Sequence, residues 1–174
     1  MKKLINPLLI IAIAVGLRLL PHLPNIAPIG AMALFGGAYL NKKYALIIPL
    51  IAMFISDIFL GFHSTMLYVY GSFLLIGFMG IWLSQRKSIG IIAGASLVSS
   101  LVFFIITNFG VWISGGLYPK TLSGLIECYV YALPFFRNTI LGDLFYVGIF
   151  FGSYELLISL FLKHSIKENR VKTG

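Results

Sequence analysis

Both aspartates of the chain lie within long apolar stretches of the sequence. Asp57 lies near the end of ALIIPLIAMFISDIFLGF (residues 45–62), and Asp143 lies in a second apolar stretch (residues 135–162). A charged aspartate inside a membrane span costs about 2.5 to 3.5 kcal/mol, so it usually faces a partner, a cavity or a substrate. The two carboxylates also resemble the acidic pair of an intramembrane aspartyl enzyme, but neither lies in a pattern specific for that chemistry. We therefore expect each to pair with a basic group or to contact a substrate.

The sequence lacks the short motifs of common hydrolytic and nucleotide-dependent enzymes. It contains no HExxH, no GxSxG and no glycine-rich loop with a lysine for ATP phosphates. Cys128 is the single cysteine, so a disulfide framework and a cysteine-built metal site are excluded. We expect a protein that is not an enzyme, with no cofactor.

The elements that must position these charges are membrane-spanning helices. Of the 174 residues, 59% are hydrophobic and 10% are charged, and the mean hydropathy is +0.98. A water-soluble domain of this length would hardly carry that composition. The net charge of +8 comes from basic residues between apolar segments, where they orient a membrane protein rather than bind nucleic acid. The chain therefore fits one integral membrane domain in a lipid bilayer.

The apolar segments predict an all-α polytopic membrane protein with a six-helix transmembrane bundle. The predicted spans are residues 5–20, 27–40, 45–62, 66–83, 89–112 and 135–162, followed by a basic, frayed tail over residues 163–174. Pro21 and Pro24 stop the first span, which shows no clear cleavage site and is expected to stay uncleaved. The second span is short, so its length does not settle whether it crosses fully.

A short amphipathic helix is predicted between spans five and six. Apolar residues repeat there at helical spacing: Leu122, Leu125, Ile126, Tyr129, Val130 and Leu133. This piece is too short to span, so we expect it to lie on the membrane surface and to end at Pro134.

The distribution of basic residues predicts the orientation. With six spans, one side receives ten of them: Lys2, Lys3, Lys42, Lys43, Arg86, Lys87, Lys163, Lys167, Arg170 and Lys172. The other side receives Arg18, Lys120 and Arg137. By the positive-inside rule, both termini are cytoplasmic.

This topology brings distant polar residues to one depth in the outer half of the bundle. Asp57 lies about 7.5 Å below the outer end of its span and Asp143 about 12 Å below the start of its own. The candidate substrate-binding residues there are Arg18, Asn25, Asp57, His63, Asn108, Trp112, Arg137, Asn138 and Asp143. Thr139, Asp143, Tyr146 and Tyr154 share one face of the last span.

Each of these groups also has a structural interpretation. Arg18 could pair with Asp57 or Asp143 simply to hold the bundle together. Glu155, nearer the cytoplasmic side, fits packing or a partner contact. His22 and His63 lack a nearby third ligand and are weak evidence for a metal. Four aromatic residues fit an interfacial belt better than a ligand cage: Tyr68, Tyr70, Trp112 and Tyr118.

Three stretches carry a family resemblance. They are RLLPHLPNIAPIGAMALFGGAYL (residues 18–40), ISDIFLGFHS (residues 55–64) and TNFGVWISGGLYPKTLSGLIECYVYALPFFRNTILGDLF (residues 107–145). Together they resemble an uncharacterised family of small bacterial membrane proteins. Its members are often labelled substrate-binding S components of energy-coupling factor (ECF) transporters.

Similarity to S components implies a six-helix bundle that binds a small substrate near the outer face, beneath the three outward loops. It also implies that small residues on the first helix, here Ala12 and Gly16, dock a transmembrane partner. Metal-specific S components carry a histidine close to the amino terminus, where this chain has Lys2 and Lys3. The resemblance therefore argues against nickel or cobalt, and no metal site is expected.

The sequence thus favours a non-enzymatic substrate-capture subunit of an ECF-type uptake transporter in the bacterial cytoplasmic (inner) membrane. Its expected partners are a small-molecule substrate, ECF transmembrane and ATPase subunits, and lipid. The alternative is a stand-alone ion- or proton-coupled carrier in which Asp57 and Asp143 titrate. An intramembrane enzyme is a third, weaker alternative.

Overall fold

The computed structural model describes residues 7–20 and 25–173. Within them the chain forms α1 (Pro7–Leu19), α2 (Ile29–Tyr39), α3 (Ile47–Leu60), α4 (Met66–Leu83), α5 (Ile89–Ser114) and α6 (Leu122–Thr173). The predicted all-α fold is confirmed. The predicted start of the first span at residue 5 and the connector at residues 21–24, which includes His22, lie outside the described residues.

The predicted surface helix is not a separate element, and this prediction is wrong. Residues 122–133 continue through Pro134 into the last predicted span as one helix of 52 residues. An internal proline costs about 3 kcal/mol, but packing on both sides of it can offset that cost. Tyr129, before the proline, donates to the Ile105 carbonyl at 2.6 Å, and Asp143, after it, accepts from Ser100 at 2.7 Å. Both halves of α6 are therefore held against α5.

The tail over residues 163–173, predicted to be frayed, is helical instead, because α6 runs to Thr173. At 1.5 Å per residue the helix is about 78 Å long, well beyond the roughly 30 Å of a bilayer core. In α3, by contrast, Pro49 lies in the first turn, where proline is tolerated.

The centre of the bundle is α2. All ten residues from Ile29 to Ala38 are buried, and the apolar core forms around them. Phe35 is fully buried and has its ring centroid 5.4 to 6.3 Å from those of three aromatic residues of α6: Phe150, Phe151 and Tyr154. The shortness of α2 thus reflects a buried central position.

Helices that follow one another in the sequence alternate in direction. The helices α2 and α6 run parallel, because residues later in α2 contact residues later in α6: Gly30 with Asp143, Phe35 with Phe150, and Tyr39 with Glu155. Contacts between α5 and α6 run in opposite senses: Ser100 with Asp143, and Asn108 with Cys128. We call the end where α1, α3 and α5 finish and α2, α4 and α6 begin the cavity end.

Glycines let α2 and α4 approach closely. A Cβ atom added at Gly37 would lie 2.7 Å from the Gly80 Cα, closer than real Cβ atoms come. Ala33 and Gly37 have the four-residue spacing of small residues that lets helices approach closely, and they lie on the helix that does so. The two glycines therefore allow a short distance between the axes of α2 and α4.

The surface is strongly apolar. Three helical segments are long and apolar enough to cross a membrane, Met66–Leu83, Ile89–Ser114 and Leu122–Phe161. Three shorter apolar helices accompany them, Leu8–Leu19, Ile29–Tyr39 and Ile47–Leu60. On α3 the exposed face carries Phe54, Ile58 and Phe59, at 49 to 73% exposure. This composition indicates a membrane protein.

Candidate functional site

A cavity of about 290 Å³ opens at the cavity end of the bundle. Its lining comes from all six helices and two connections: Arg18, Asn25, Ala27, Ile29, Gly30, Leu60, His63, Val69, Phe73, Ile76, Phe103, Thr139 and Asp143. Four of the predicted site residues are among them: Arg18, Asn25, His63 and Asp143. The cavity thus brings together residues up to 125 positions apart in the sequence, from Arg18 to Asp143.

One wall of the cavity is built on an ion pair between α1 and α3. The Arg18 Nη2 lies 2.5 Å from the Asp57 Oδ1, as the sequence predicts for one of the two acidic residues. Arg18 Nη1 also donates to the Met53 carbonyl at 3.1 Å and to the Ser56 hydroxyl. Tyr70 of α4 donates its hydroxyl to the Asp57 Oδ2 at 2.6 Å. Asp57 is therefore 1% exposed, fully bonded and behind the wall rather than on it.

The second carboxylate, Asp143, is on the cavity lining. It is 5% exposed and accepts a hydrogen bond from the Ser100 hydroxyl through Oδ2 at 2.7 Å. No described basic side chain forms an ion pair with it. Asp57 and Asp143 thus have opposite surroundings, one neutralised by Arg18 and one facing the cavity without a cation.

Gly30 of α2 makes room for the Asp143 carboxylate. A Cβ atom added at Gly30 would overlap Oδ1 and would lie 3.0 Å from the carboxyl carbon. Any other residue at this position would therefore push the carboxylate out of its place. Burial of α2 at the centre of the bundle and its glycine at the first turn together position this acid.

The connections before α2 and before α4 contribute residues to the rim of the cavity. Asn25 has φ of 63°, a left-handed conformation that asparagine tolerates better than most residues, and it leads directly into α2. The ring Nδ1 of His63 lies 2.8 Å from the Thr65 hydroxyl oxygen, just before α4. Both side chains are exposed, so they can meet a molecule entering the cavity.

Four other candidate residues lie away from the cavity lining. Asn108 donates its side-chain amide to the Phe104 carbonyl of its own helix at 2.7 Å. Trp112 donates its indole N–H to the Pro119 carbonyl at 3.0 Å and so closes the connection between α5 and α6. Arg137 is exposed, and Asn138 is half-buried on α6. The prediction that these four side chains share the substrate site is therefore not supported by the cavity lining.

Several residues that build the site were not singled out from the sequence. The sequence favours an interfacial aromatic belt for Tyr70, but the structure shows that Tyr70 hydrogen-bonds Asp57. Ser100 and Gly30 are not among the predicted site residues, although they hold and accommodate Asp143. A cluster of serines in an otherwise apolar helix, at positions 96, 99 and 100, is a signal that could have pointed to the inner face of α5.

The opposite end of the bundle carries a smaller polar cluster. Tyr39 donates to the Glu155 carboxylate at 2.5 Å, and the Lys87 ammonium lies 3.8 Å from the centre of the Tyr39 ring. Glu155 therefore has the packing contact that the sequence favours for it. On α1, Ala12 and Gly16 are exposed, and nothing lies within 4 Å of a Cβ atom added at Gly16.

The described lining of the cavity combines polar groups of several chemical kinds with apolar surface. Its lining combines one carboxylate, one guanidinium, one hydroxyl, an imidazole and an amide with apolar walls. Among the described residues, no group of three metal-ligating side chains occurs. Small-molecule sites usually have this composition, with a few polar groups that orient a ligand against apolar surface.

Comparison with known proteins places the chain in a family. Residues 1–166 match the model of the family of unknown function DUF6580, and the chain belongs to that family. No curated protein matches the chain, and no solved structure matches it either.

Proposed function

We propose that this protein is a non-enzymatic membrane subunit that captures a small molecule, as the S components of ECF transporters do. The observation that carries the proposal is the cavity of about 290 Å³ with polar groups in an otherwise apolar bundle. Its volume lies just below the roughly 300 to 1,000 Å³ typical of small-molecule sites. The cavity also lies at the ends of helices and beneath connections, where a ligand can enter.

In this proposal the bundle crosses the bacterial inner membrane six times, with both termini in the cytoplasm. The alternation of helix directions supports six crossings, and the excess of lysine and arginine at the end opposite the cavity supports the orientation. The cavity then faces outward, which suits a protein that collects its ligand from outside the cell. The exposed Ala12 and Gly16 surface of α1 offers a place for a transmembrane partner.

Purification of native complexes tests the proposal. The tagged chain, solubilised in mild detergent from its native membrane, should retain a transmembrane partner and ATPase subunits. ATP-dependent uptake should then require all of these subunits. Transport by the isolated chain in proteoliposomes, driven by a proton gradient without ATP, would contradict the proposal.

That contrary result would favour the second candidate, a stand-alone carrier. A specific observation keeps this candidate open, because Asp143 is a buried carboxylate on the cavity with no described basic partner. Such a group can bind and release a proton as a cargo moves past it. Asp57 fits this part less well, since Arg18 and Tyr70 already occupy both of its oxygens.

A further inference from the structure

The cavity lining includes an acidic group that no described cation compensates. Arg18 contributes a positive charge, but its guanidinium is paired with Asp57 at 2.5 Å. That pair is neutral as a whole, and the other described lining residues include no lysine and no second arginine. In its ionised form, Asp143 therefore adds one uncompensated negative charge to the described lining. A buried carboxylate without a cation is costly, so a ligand that supplies the cation would be favoured.

The geometry of Asp143 leaves one oxygen without a hydrogen bond from a described residue. Ser100 donates to Oδ2, while Oδ1 packs closely against the Gly30 backbone, and both Asp143 and Gly30 line the cavity. No described residue donates a hydrogen bond to Oδ1. An ammonium group could therefore approach Oδ1 without displacing an existing bond of the protein.

The walls around Asp143 suit the rest of such a ligand. Phe73 and Phe103 both line the cavity, and their ring centroids are 5.1 Å apart. Aromatic faces attract cations and also bury apolar groups. The small volume limits the ligand to a compact body next to the charged group.

We propose that the cavity binds a small amine with one positive charge, whose ammonium contacts Asp143 and whose apolar body packs against Phe73 and Phe103. This inference rests on the proposed capture function and adds the chemical class of the substrate. A zwitterion is less well matched, because Arg18 is already neutralised by Asp57 and bonded to Met53 and Ser56.

Binding of three phenyl compounds of similar size and different charge tests the inference. Benzylamine, benzyl alcohol and benzoate are each titrated into the full chain in detergent, with affinity measured by calorimetry. Benzylamine should bind at least tenfold more tightly than the alcohol, and benzoate should bind weakest. Equal or tighter binding of the alcohol or benzoate, or no binding of benzylamine, would overturn the inference.

Variants locate the charge that is responsible. Asp143→Asn should weaken benzylamine binding at least tenfold and leave benzyl alcohol binding unchanged. Glu155→Gln, at the opposite end of the bundle, should behave as the unmodified protein. If Asp143→Asn does not fold, Gly30→Ala serves instead, because its methyl group would displace the same carboxylate, with Gly16→Ala as its control. A folded Asp143 or Gly30 variant that binds benzylamine normally would contradict the inference.

The results also separate this inference from the proposed function. If a neutral or anionic compound binds in the cavity and benzylamine does not, the charge assignment fails while the capture function stands. If a broad panel of small molecules gives no ligand for the cavity at all, both fail.

Discussion

At the scale of single residues, the two aspartates show how surroundings assign different roles to the same side chain. Asp57 is buried with a guanidinium on one oxygen and a tyrosine hydroxyl on the other. Asp143 is buried with one serine hydroxyl and a cavity. The contacts of Asp57 hold α1, α3 and α4 together. Asp143 instead keeps one carboxylate oxygen without a hydrogen bond from a described residue.

The structural role of Asp57 predicts a rescue experiment. Asp57→Asn should lower the free energy of unfolding by on the order of 3 kcal/mol, because it leaves the buried Arg18 without its counter-charge. Combining it with Arg18→Gln should recover much of that loss, since both charges are then removed. Unfolding in mixed detergent micelles measures both variants. A double variant whose loss is the sum of the two single losses would contradict a structural pair.

At the scale of elements, α2 determines the arrangement of its neighbours. It packs against α4 through Gly37 and Gly80, against α6 through Phe35, and opposite Asp143 through Gly30. A central short helix of small residues explains how one cavity can be lined by all six helices.

The close approach of α2 and α4 predicts a difference between two glycine substitutions. Gly37→Ala should lower stability by about 1 to 3 kcal/mol, because its methyl group would overlap the backbone of α4. Gly71→Ala is the matched control on α4, with nothing within 4 Å of the added atom, and should be neutral or slightly stabilising. Thermal melting of both variants in the same detergent makes the comparison. Equal melting temperatures of the two variants would contradict the close backbone approach of α2 and α4 at Gly37.

The continuity of α6 predicts a long distance between two spin labels. Cysteines introduced at Ser123 and Lys163, with Cys128→Ala as background, are separated by 40 residues of helix. At 1.5 Å per residue the labels should be about 60 Å apart by pulsed electron paramagnetic resonance. A clearly shorter distance would indicate a bend at Pro134 and would restore the separate surface helix.

Sequence patterns predicted the existence and order of these helices better than their rotation and the junctions between them. The pairing of Arg18 with an acidic residue could be predicted because a charge in an apolar span needs a partner. The position of Asn108 and Trp112 outside the cavity could not be predicted, because it depends on how α5 is rotated against α6. The continuous helix through Pro134 could not be predicted either. The destabilising effect of a proline can be read from the local sequence, whereas the packing that offsets it comes from residues distant in the sequence.

At the scale of the whole molecule, the position of the cavity and the distribution of basic residues support the same orientation in the membrane. The cavity lies at one end, and the predicted excess of basic residues lies at the other. For a capture protein this arrangement matters, because the cavity must face the source of its ligand.

Cysteine labelling tests that orientation. Ser64, Ser123 and Lys42 are all exposed, and Cys128 is 2% exposed, so single cysteines can be introduced in a Cys128→Ala background. A membrane-impermeant maleimide added to intact spheroplasts should label positions 64 and 123 but not 42. Labelling of position 42 from outside would reverse the orientation and turn the cavity toward the cytoplasm.

The central claim is that the cavity binds a small molecule, and a thermal-shift screen with a blocked cavity tests it most directly. The panel contains vitamins, nucleobases, amino acids, simple amines and divalent metals. A true ligand at about 100 times its Kd adds about 2.7 kcal/mol, which should raise the Tm by roughly 5 °C or more. Val69→Trp fills the cavity, whereas Leu67→Trp, two residues away on α4 at 79% exposure, leaves it open.

We expect at least one compound to raise the Tm of the unmodified chain and of Leu67→Trp but not that of Val69→Trp. The same shift in all three proteins would place binding outside the cavity. The absence of a shift with every compound would contradict the capture function itself.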